Sequence, residues 1–251
     1  MGRAGFIKIL ALTRVEWRLR QQSTFLGFFW TLLNPALMFV VLYGLFIKWL
    51  GRAQSDYAVF LLVGIVEWNF FSTATSHGLS ALLRRGPLLK NYPLAPEIPV
   101  FASVLSIYFS HVLELLALIA MLSFFQGRVT VSWFWLIAID GIYLALACGV
   151  SLLLAGLFVF YSDIERMWGI LLTAGFFMTP VFYPLSVLTP DKSRLLNLSP
   201  LTAVIESSRL ALSGAAPGGA AMGGALLWAT TLLISGLLFL RLKRASIGDA
   251  L

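Results

Sequence analysis

Four side chains able to carry protons or hold ions stand inside long apolar runs: Glu67, His111, Glu114 and Asp140. An ionised carboxylate in bilayer hydrocarbon is costly. Each acid must therefore be protonated, paired or wetted by a cavity. His111 and Glu114 are three residues apart, hence on one face of a helix. The pair suits a structural hydrogen bond within a bundle, or a proton relay driving a secondary transporter. Three acids without internal repeat symmetry argue for structural or cavity-lining roles over ion coupling. Other chemistry is missing. No Gly-Lys dipeptide occurs, so there is no phosphate-binding P-loop. Leu212-Ser213-Gly214 is a chance echo of an ATPase signature. No G-x-S-x-G elbow is present. His77 and His111 are the only histidines and Cys148 the only cysteine, which excludes a His-pair metal motif, a Cys cluster and an internal disulfide. No metal or cofactor is expected in the chain itself.

The elements that carry these residues follow from composition. Of 251 residues, 59% are hydrophobic and 12% charged, about half the charge density of an average soluble domain. Mean hydropathy is +0.90. A soluble enzyme and a disordered binder are both excluded, and the chain reads as an all-α integral membrane protein. The net charge of +7 does not signal nucleic acid, because the Lys and Arg residues fall in short spacers between apolar runs.

A crossing helix needs roughly 20 apolar residues. Six candidates satisfy this approximately: 25–47, 57–79, 98–125, 133–160, 167–182 and 222–240. With the N-terminus inside, Arg3, Lys8, Arg14, Arg18, Arg20, Arg84, Arg85, Lys90, Arg166, Arg241, Lys243 and Arg244 are cytoplasmic. Lys48, Arg52, Arg128, Lys192, Arg194 and Arg209 remain outside. This excess of basic residues inside places both termini in the cytoplasm. Residues 1–24 lack an uninterrupted apolar core and are not expected to form a signal peptide. They predict an amphipathic interface helix, with Phe6, Leu10, Thr13 and Trp17 on one stripe and Arg14 and Arg18 beside it. This helix is either a lipid anchor or a contact surface for a cytoplasmic partner. Residues 25–242 form the transmembrane domain and 243–251 a cytoplasmic tail.

Between the fifth and sixth spans, Pro184, Pro190 and Pro200 divide residues 183–221 into short apolar pieces. These predict short re-entrant helices dipping into the outer leaflet, their ends buried by protein. Ala215 to Gly219 predict a flexible connector. Ala147, Ser151 and Ala155 recur every fourth position and predict close helix packing, within the subunit or across a dimer. Trp17, Trp30, Trp49, Trp133, Trp135 and Trp168 lie near span ends, as interfacial anchors do.

Several segments together resemble the transmembrane subunit of an ABC-2 type exporter, in particular the permeases for lipid-linked polysaccharides such as O-antigen and for teichoic acids. The stretch from Arg18 through Gly27, Trp30, Leu33, Asn34 and Pro35 is similar to a basic run followed by L-G-x-x-W-x-x-L-N-P. Trp68-Asn69-Phe70-Phe71-Ser72 resembles P-W-x-F-F-S. Leu88-Leu89-Lys90-Asn91-Tyr92-Pro93, with Glu97-Ile98-Pro99, resembles the Pro-rich loop before the third span. Thr179 to Pro184, Asn197 to Thr202 and Glu206 to Arg209 follow the pattern near the C-terminus. The order and spacing of these segments over residues 14–209 make the match. Glu67 stands where Pro usually precedes the Trp, Ser162-Asp163 replaces Arg-Asp, and Ser199 interrupts an Asn-Pro pair.

The resemblance implies a homodimer of this chain with two copies of a separate ABC ATPase that binds ATP and Mg. It implies export of a polyprenyl-pyrophosphate-linked glycan across the cytoplasmic (inner) membrane. A coupling loop would comprise Arg84, Arg85, Leu88, Leu89, Lys90, Tyr92, Pro93 and Glu97, cradled by an interface helix with Arg14, Trp17 and Arg18. Conduit or gate candidates are Trp30, Asn34, Trp68, Phe70, Phe71, Phe182, Tyr183 and Asn197. Arg14, Arg18, Arg84 and Arg85 could attract a pyrophosphate as point charges. The competing readings are an ABC-2 exporter of a drug or lipid, a proton-coupled secondary transporter, and a membrane-embedded lipid-sugar transferase. The last requires acids or histidines gathered in a polar loop, whereas here they are scattered among the spans.

Overall fold

The computed structural model describes residues 3–22, 29–45, 57–92, 94–126 and 130–251. Among these, every regular element is helical: α1 (Arg3–Gln22), α2 (Phe29–Tyr43), α3 (Tyr57–Leu79), α4 (Ala81–Arg84), α5 (Gly86–Asn91), α6 (Glu97–Gln126), α7 (Trp135–Phe160), α8 (Asp163–Met178), α9 (Pro190–Asn197), α10 (Pro200–Ser213), α11 (Gly219–Leu242) and α12 (Arg244–Ala250). A 3₁₀ turn at Val131–Phe134 leads into α7.

Among the described residues, four helices are long and apolar enough to cross a membrane: Tyr57–Leu79, Glu97–Phe124, Val131–Phe160 and Gly219–Leu242. α2 and α8 have 15 and 16 described residues, about 24 Å at most, against a hydrocarbon core of about 30 Å. The fifth predicted span requires correction. Its helix begins earlier, at Asp163, where Asp163 and Glu165 favour the positive N-terminal dipole end. It stops at Met178, so residues 179–182 are turn rather than helix. Parts of the predicted first span, and the charges Lys48, Arg52 and Arg128, lie outside the described residues.

α3 is the centre of the bundle and packs on α2, α6, α7, α8 and α10. Its most apolar stretch is 61% buried, against 22% for α11 at the periphery. Lipid removes the hydrophobic drive between spans, so association rests on close van der Waals packing at small residues. The predicted small-residue stripe is wholly internal. Ala147, Ser151 and Ala155 are buried within the subunit. Ser151 faces Gly78 of α3, where a Cβ would come within 2.4 Å of its hydroxyl. Close packing also involves glycines on the adjoining face. A Cβ on Gly149 would meet the Leu233 nitrogen at 2.6 Å, and one on Gly236 would meet the Leu152 Cβ at 2.7 Å. The α7 and α11 backbones thus approach too closely for any larger residue. Gly149→Leu is expected to separate them at a cost of about 1–3 kcal/mol. A thermal unfolding midpoint unchanged from the wild type would contradict this seam.

The outer segment after α8 is built from proline starts. Pro190 and Pro200 each occupy the first turn of α9 and α10, behind extended Thr189 and Ser199. α10 ends at Gly214, whose φ of 97° is left-handed. Ala215 N–H bonds back to the Leu210 carbonyl at 2.9 Å and Gly214 N–H to Ala211 at 3.3 Å, the Schellman arrangement.

Candidate functional site

Three regions of the bundle concentrate chemistry: a platform at the end holding α1, α4, α5 and α12, a cleft along α2, α3 and α8, and a polar core that runs toward α10.

At the platform, α5 is a short proline-started helix whose flanks are tied down. Arg85 donates from Nε to Glu16 Oε1 of α1 at 2.8 Å and forms an ion pair with it at 2.7 Å. Arg84 donates to the His77 carbonyl at 2.9 Å and to Ser103 Oγ at 3.0 Å, joining α3, α4 and α6. Glu97 is buried, with Arg241 of α11 at 3.6 Å. Pro87, Lys90, Asn91 and Tyr92 are exposed, Tyr92 at 61%. Leu88 and Leu89 are half-buried. Leu89 and Tyr92 border a small cavity of about 150 Å³ with Arg244, Ile247 and Leu251 of the C-terminal segment. Pro93 lies outside the described residues.

α1 lies along α6, and its packed face differs from the expected stripe. Ile9 and Thr13 are buried and Glu16 and Arg20 reach other helices. Phe6 and Leu10 point away and are exposed. The shift has a polar cause: Glu16 and Arg20 find partners only on this face. Arg20 Nη2 donates to the Ser106 carbonyl at 3.1 Å and also to Ser110 Oγ. Burial pushes the Arg20 guanidinium below its ordinary range, while Glu114 and Glu16 oppose that shift. Arg14 and Arg18 are exposed and Trp17 is half-buried.

The cleft has a volume of about 430 Å³. Trp68, Phe176 and Phe177 supply aromatic walls, and Asn34, Asn69 and Thr173 supply polar groups. Trp68 meets Phe176 edge-on at 6.0 Å. Gly175 makes room for that indole, since a Cβ there would lie 2.9 Å from its ring. Asn34 Nδ2 donates to Asn69 Oδ1 at 3.3 Å, linking α2 to α3. Two conduit candidates need correction. Phe70 and Phe71 are buried in the core, where Phe70 stacks on His111 at 4.4 Å and Phe71 on Tyr143 at 6.1 Å. Phe70 faces the opposite side of α3 from Trp68, whereas Phe71, three residues on, packs beside the Trp68 ring at 6.2 Å and is buried there. Of Trp30, only the backbone lies among the described residues.

At the far end, Arg209 of α10 is buried and uses most of its donors. It bonds to the carbonyls of Pro180 at 2.7 Å, Val181 at 2.7 Å and Phe60 at 3.1 Å, and to Glu206 Oε1 at 2.6 Å. Its guanidinium also sits 3.4 Å over the Phe60 ring. The Tyr57 hydroxyl bonds the Phe182 carbonyl at 2.8 Å, and the Tyr183 hydroxyl bonds the Met178 carbonyl at 2.7 Å. Phe182 and Tyr183 are half-buried in this corner, while Asn197 is exposed at the end of α9.

Between the two ends, Glu67 of α3, His111 of α6 and Asp140 of α7 converge. His111 Nε2 is 3.7 Å from Glu67 Oε2 and 3.9 Å from Asp140 Oδ1. The Tyr143 hydroxyl closes the group by donating to the Glu67 carbonyl at 2.8 Å.

The chain from residue 7 to 212 matches the model of the ABC-2 type transporter family. It belongs to that family. Relatives include an O-antigen export system permease protein RfbA of Myxococcus xanthus, 30% identical over 79% of this chain and 77% of that protein. A protein of the same name from Klebsiella pneumoniae is 24% identical over 81% and 79%. The polysialic acid transport protein KpsM of Escherichia coli is 26% identical over 84% and 85%.

In this ABC-2 type transporter, the predicted site residues separate into groups. Leu88, Leu89, Lys90 and Tyr92 remain together at the platform, and Asn34 and Trp68 meet in the cleft. Arg84, Arg85 and Glu97 instead brace the loop through Ser103, Glu16 and Arg241. Two features were not singled out from sequence: the Arg209 clamp and the three-helix convergence on His111. The available signal for both was a charged residue inside an otherwise apolar segment, since such residues rarely persist without a partner.

Proposed function

We propose that this ABC-2 type transporter chain is the permease subunit of an exporter that carries a lipid-linked polysaccharide of the O-antigen kind across the cytoplasmic (inner) membrane. The observation that carries this reading is the cleft. The exposed ring of Phe177 and the more buried rings of Trp68 and Phe176 line it beside the amides of Asn34 and Asn69 and the hydroxyl of Thr173. Aromatic faces accept the apolar side of a sugar ring, and the polar groups exchange hydrogen bonds along a chain of hydroxyls. The names of the relatives support the same cargo class.

In this reading α2 and α8 complete a six-span domain, with α9 and α10 as re-entrant helices near the outer face. Both termini are cytoplasmic. Two copies of the chain pair with two copies of a separate ATPase, which binds ATP and Mg. The exposed apolar faces of α2 and α8, including Leu37, Val41, Ile170 and Phe177, suit the contact between copies. α5 meets the ATPase, with Leu88, Leu89, Lys90, Tyr92 and Pro93 as the docking residues. Arg14 and Arg18 face the inner lipid surface, where they attract the pyrophosphate of the carrier.

The test is to fill the cleft. Thr173→Trp is expected to reduce surface glycan by about tenfold or more while the chain still assembles with its ATPase. Retained surface glycan would sink the conduit assignment. Unchanged glycan on deleting the whole gene, with loss of efflux of an apolar drug or lipid, would instead establish a different cargo.

A further inference from the structure

We infer that Glu67, His111 and Asp140 form a binding site for one divalent transition-metal ion of the zinc type, buried inside the bundle. Among the described residues, they are the one group of three such side chains whose ligand atoms all lie within 4.8 Å of one another. Three ligands at about 2.0–2.1 Å around a common ion stand about 3.5 Å apart. The two contacts of His111 Nε2, at 3.7 and 3.9 Å, are close to that spacing and too long for hydrogen bonds.

An independent observation points into the same space. Both Glu67 carboxylate oxygens, both His111 ring nitrogens and Asp140 Oδ1 are buried without a hydrogen-bond partner. Glu67 is 0% and His111 1% exposed. Buried polar atoms are almost always satisfied, so the unpartnered His111 Nε2, Glu67 Oε2 and Asp140 Oδ1, which face one another, mark a missing partner. Charge identifies it. Arg209 is engaged by Glu206, and Arg20 lies on the Glu114 side of the group. Ionised Glu67 and Asp140 beside a neutral imidazole carry two negative charges, which one divalent cation cancels; without it the group needs two protons, one on His111 and one on an acid. An imidazole nitrogen with two carboxylates selects zinc-type ions over magnesium or calcium, which prefer all-oxygen shells. The ion would tie α3, α6 and α7 together, and Glu114, one turn from His111 with Oε2 also unpartnered, is the nearest candidate for a fourth ligand.

The inference does not rest on the export reading, and its test reads metal rather than cargo. The full-length chain in lipid nanodiscs is stripped with a chelator and titrated with zinc. The expected result is one zinc bound per chain, a higher unfolding midpoint, and a cobalt-substituted form with a visible ligand-field band. His111→Gln and Asp140→Asn should each weaken zinc binding about a hundredfold, and His77→Ala should not change it. If the variants fail to fold, the wild-type titration still decides. A stripped wild type whose midpoint is indifferent to zinc would overturn the site and leave protons as the occupants. Equal zinc binding by wild type and folded His111→Gln would overturn it as well.

Discussion

Deleting residues 88–93 is expected to reduce surface glycan to background while the permease remains folded. The removed segment holds the exposed Lys90 and Tyr92 and the half-buried Leu88 and Leu89, and the supports stay behind. Arg84 keeps its bonds to the His77 carbonyl and Ser103, Arg85 keeps Glu16, and Glu97 keeps Arg241. Because Leu88 to Tyr92 are half-buried or exposed, the unfolding midpoint should change by no more than about 3 °C, or about 1 kcal/mol for a chain of this size. The paired substitution Leu88→Asp with Leu89→Asp should behave alike. It retains chain length and places charge where an apolar contact is required. Export that continues at the wild-type rate would show that the ATPase is engaged elsewhere.

Arg209→Ala is expected to be the most destabilising single substitution at the far end. The guanidinium joins three carbonyls from two segments to Glu206 of its own helix. Truncation leaves those oxygens facing one another in a site closed to water. Breaking a buried pair from one side costs about 3–5 kcal/mol, corresponding to a fall of roughly 10 °C in unfolding midpoint. Arg209→Lys restores the charge but not the fork, so it should recover part of the loss only. Glu206→Gln, at a carboxylate 30% exposed, should cost far less. A midpoint for Arg209→Ala within 2 °C of the wild type, by an order-of-magnitude reading of the same scaling, would remove the clamp from the account.

Much of this architecture was legible from residue types alone, for identifiable reasons. Long apolar runs need no partner to declare themselves, so α3, α6, α7 and α11 emerge close to their expected bounds. Pro190 and Pro200 announce α9 and α10 because proline is favoured in the first turn of a helix. What stayed hidden depends on neighbours distant in the chain. The helical wheel of α1 favours Phe6 and Leu10, yet Glu16 and Arg20 decide its orientation through Arg85, Ser106 and Ser110. Phe70 and Trp68 are indistinguishable as aromatic residues, and only the bundle separates core from cleft. The coupling-loop residues Arg84 and Glu97 find their partners far along the chain, at Ser103 of α6 and Arg241 of α11. Local spacing correctly placed His111 and Glu114 on one face, but it could not bring in Glu67 or Asp140 from other helices.

Glu16 and Arg20 are one turn apart on α1, and they grip different objects. One holds the base of α5 through Arg85, and the other holds α6 at Ser106 and Ser110, two to three turns inside that helix. α1 is therefore a crossbar pinned at two points. A force that tilts α5 is conveyed to α6 by this crossbar, by a route separate from the covalent link through residues 92–97. Swapping the charges of Glu16 and Arg85 would preserve the bar, whereas neutralising either would remove this route and leave the Arg84–Ser103 bond and the link through residues 92–97.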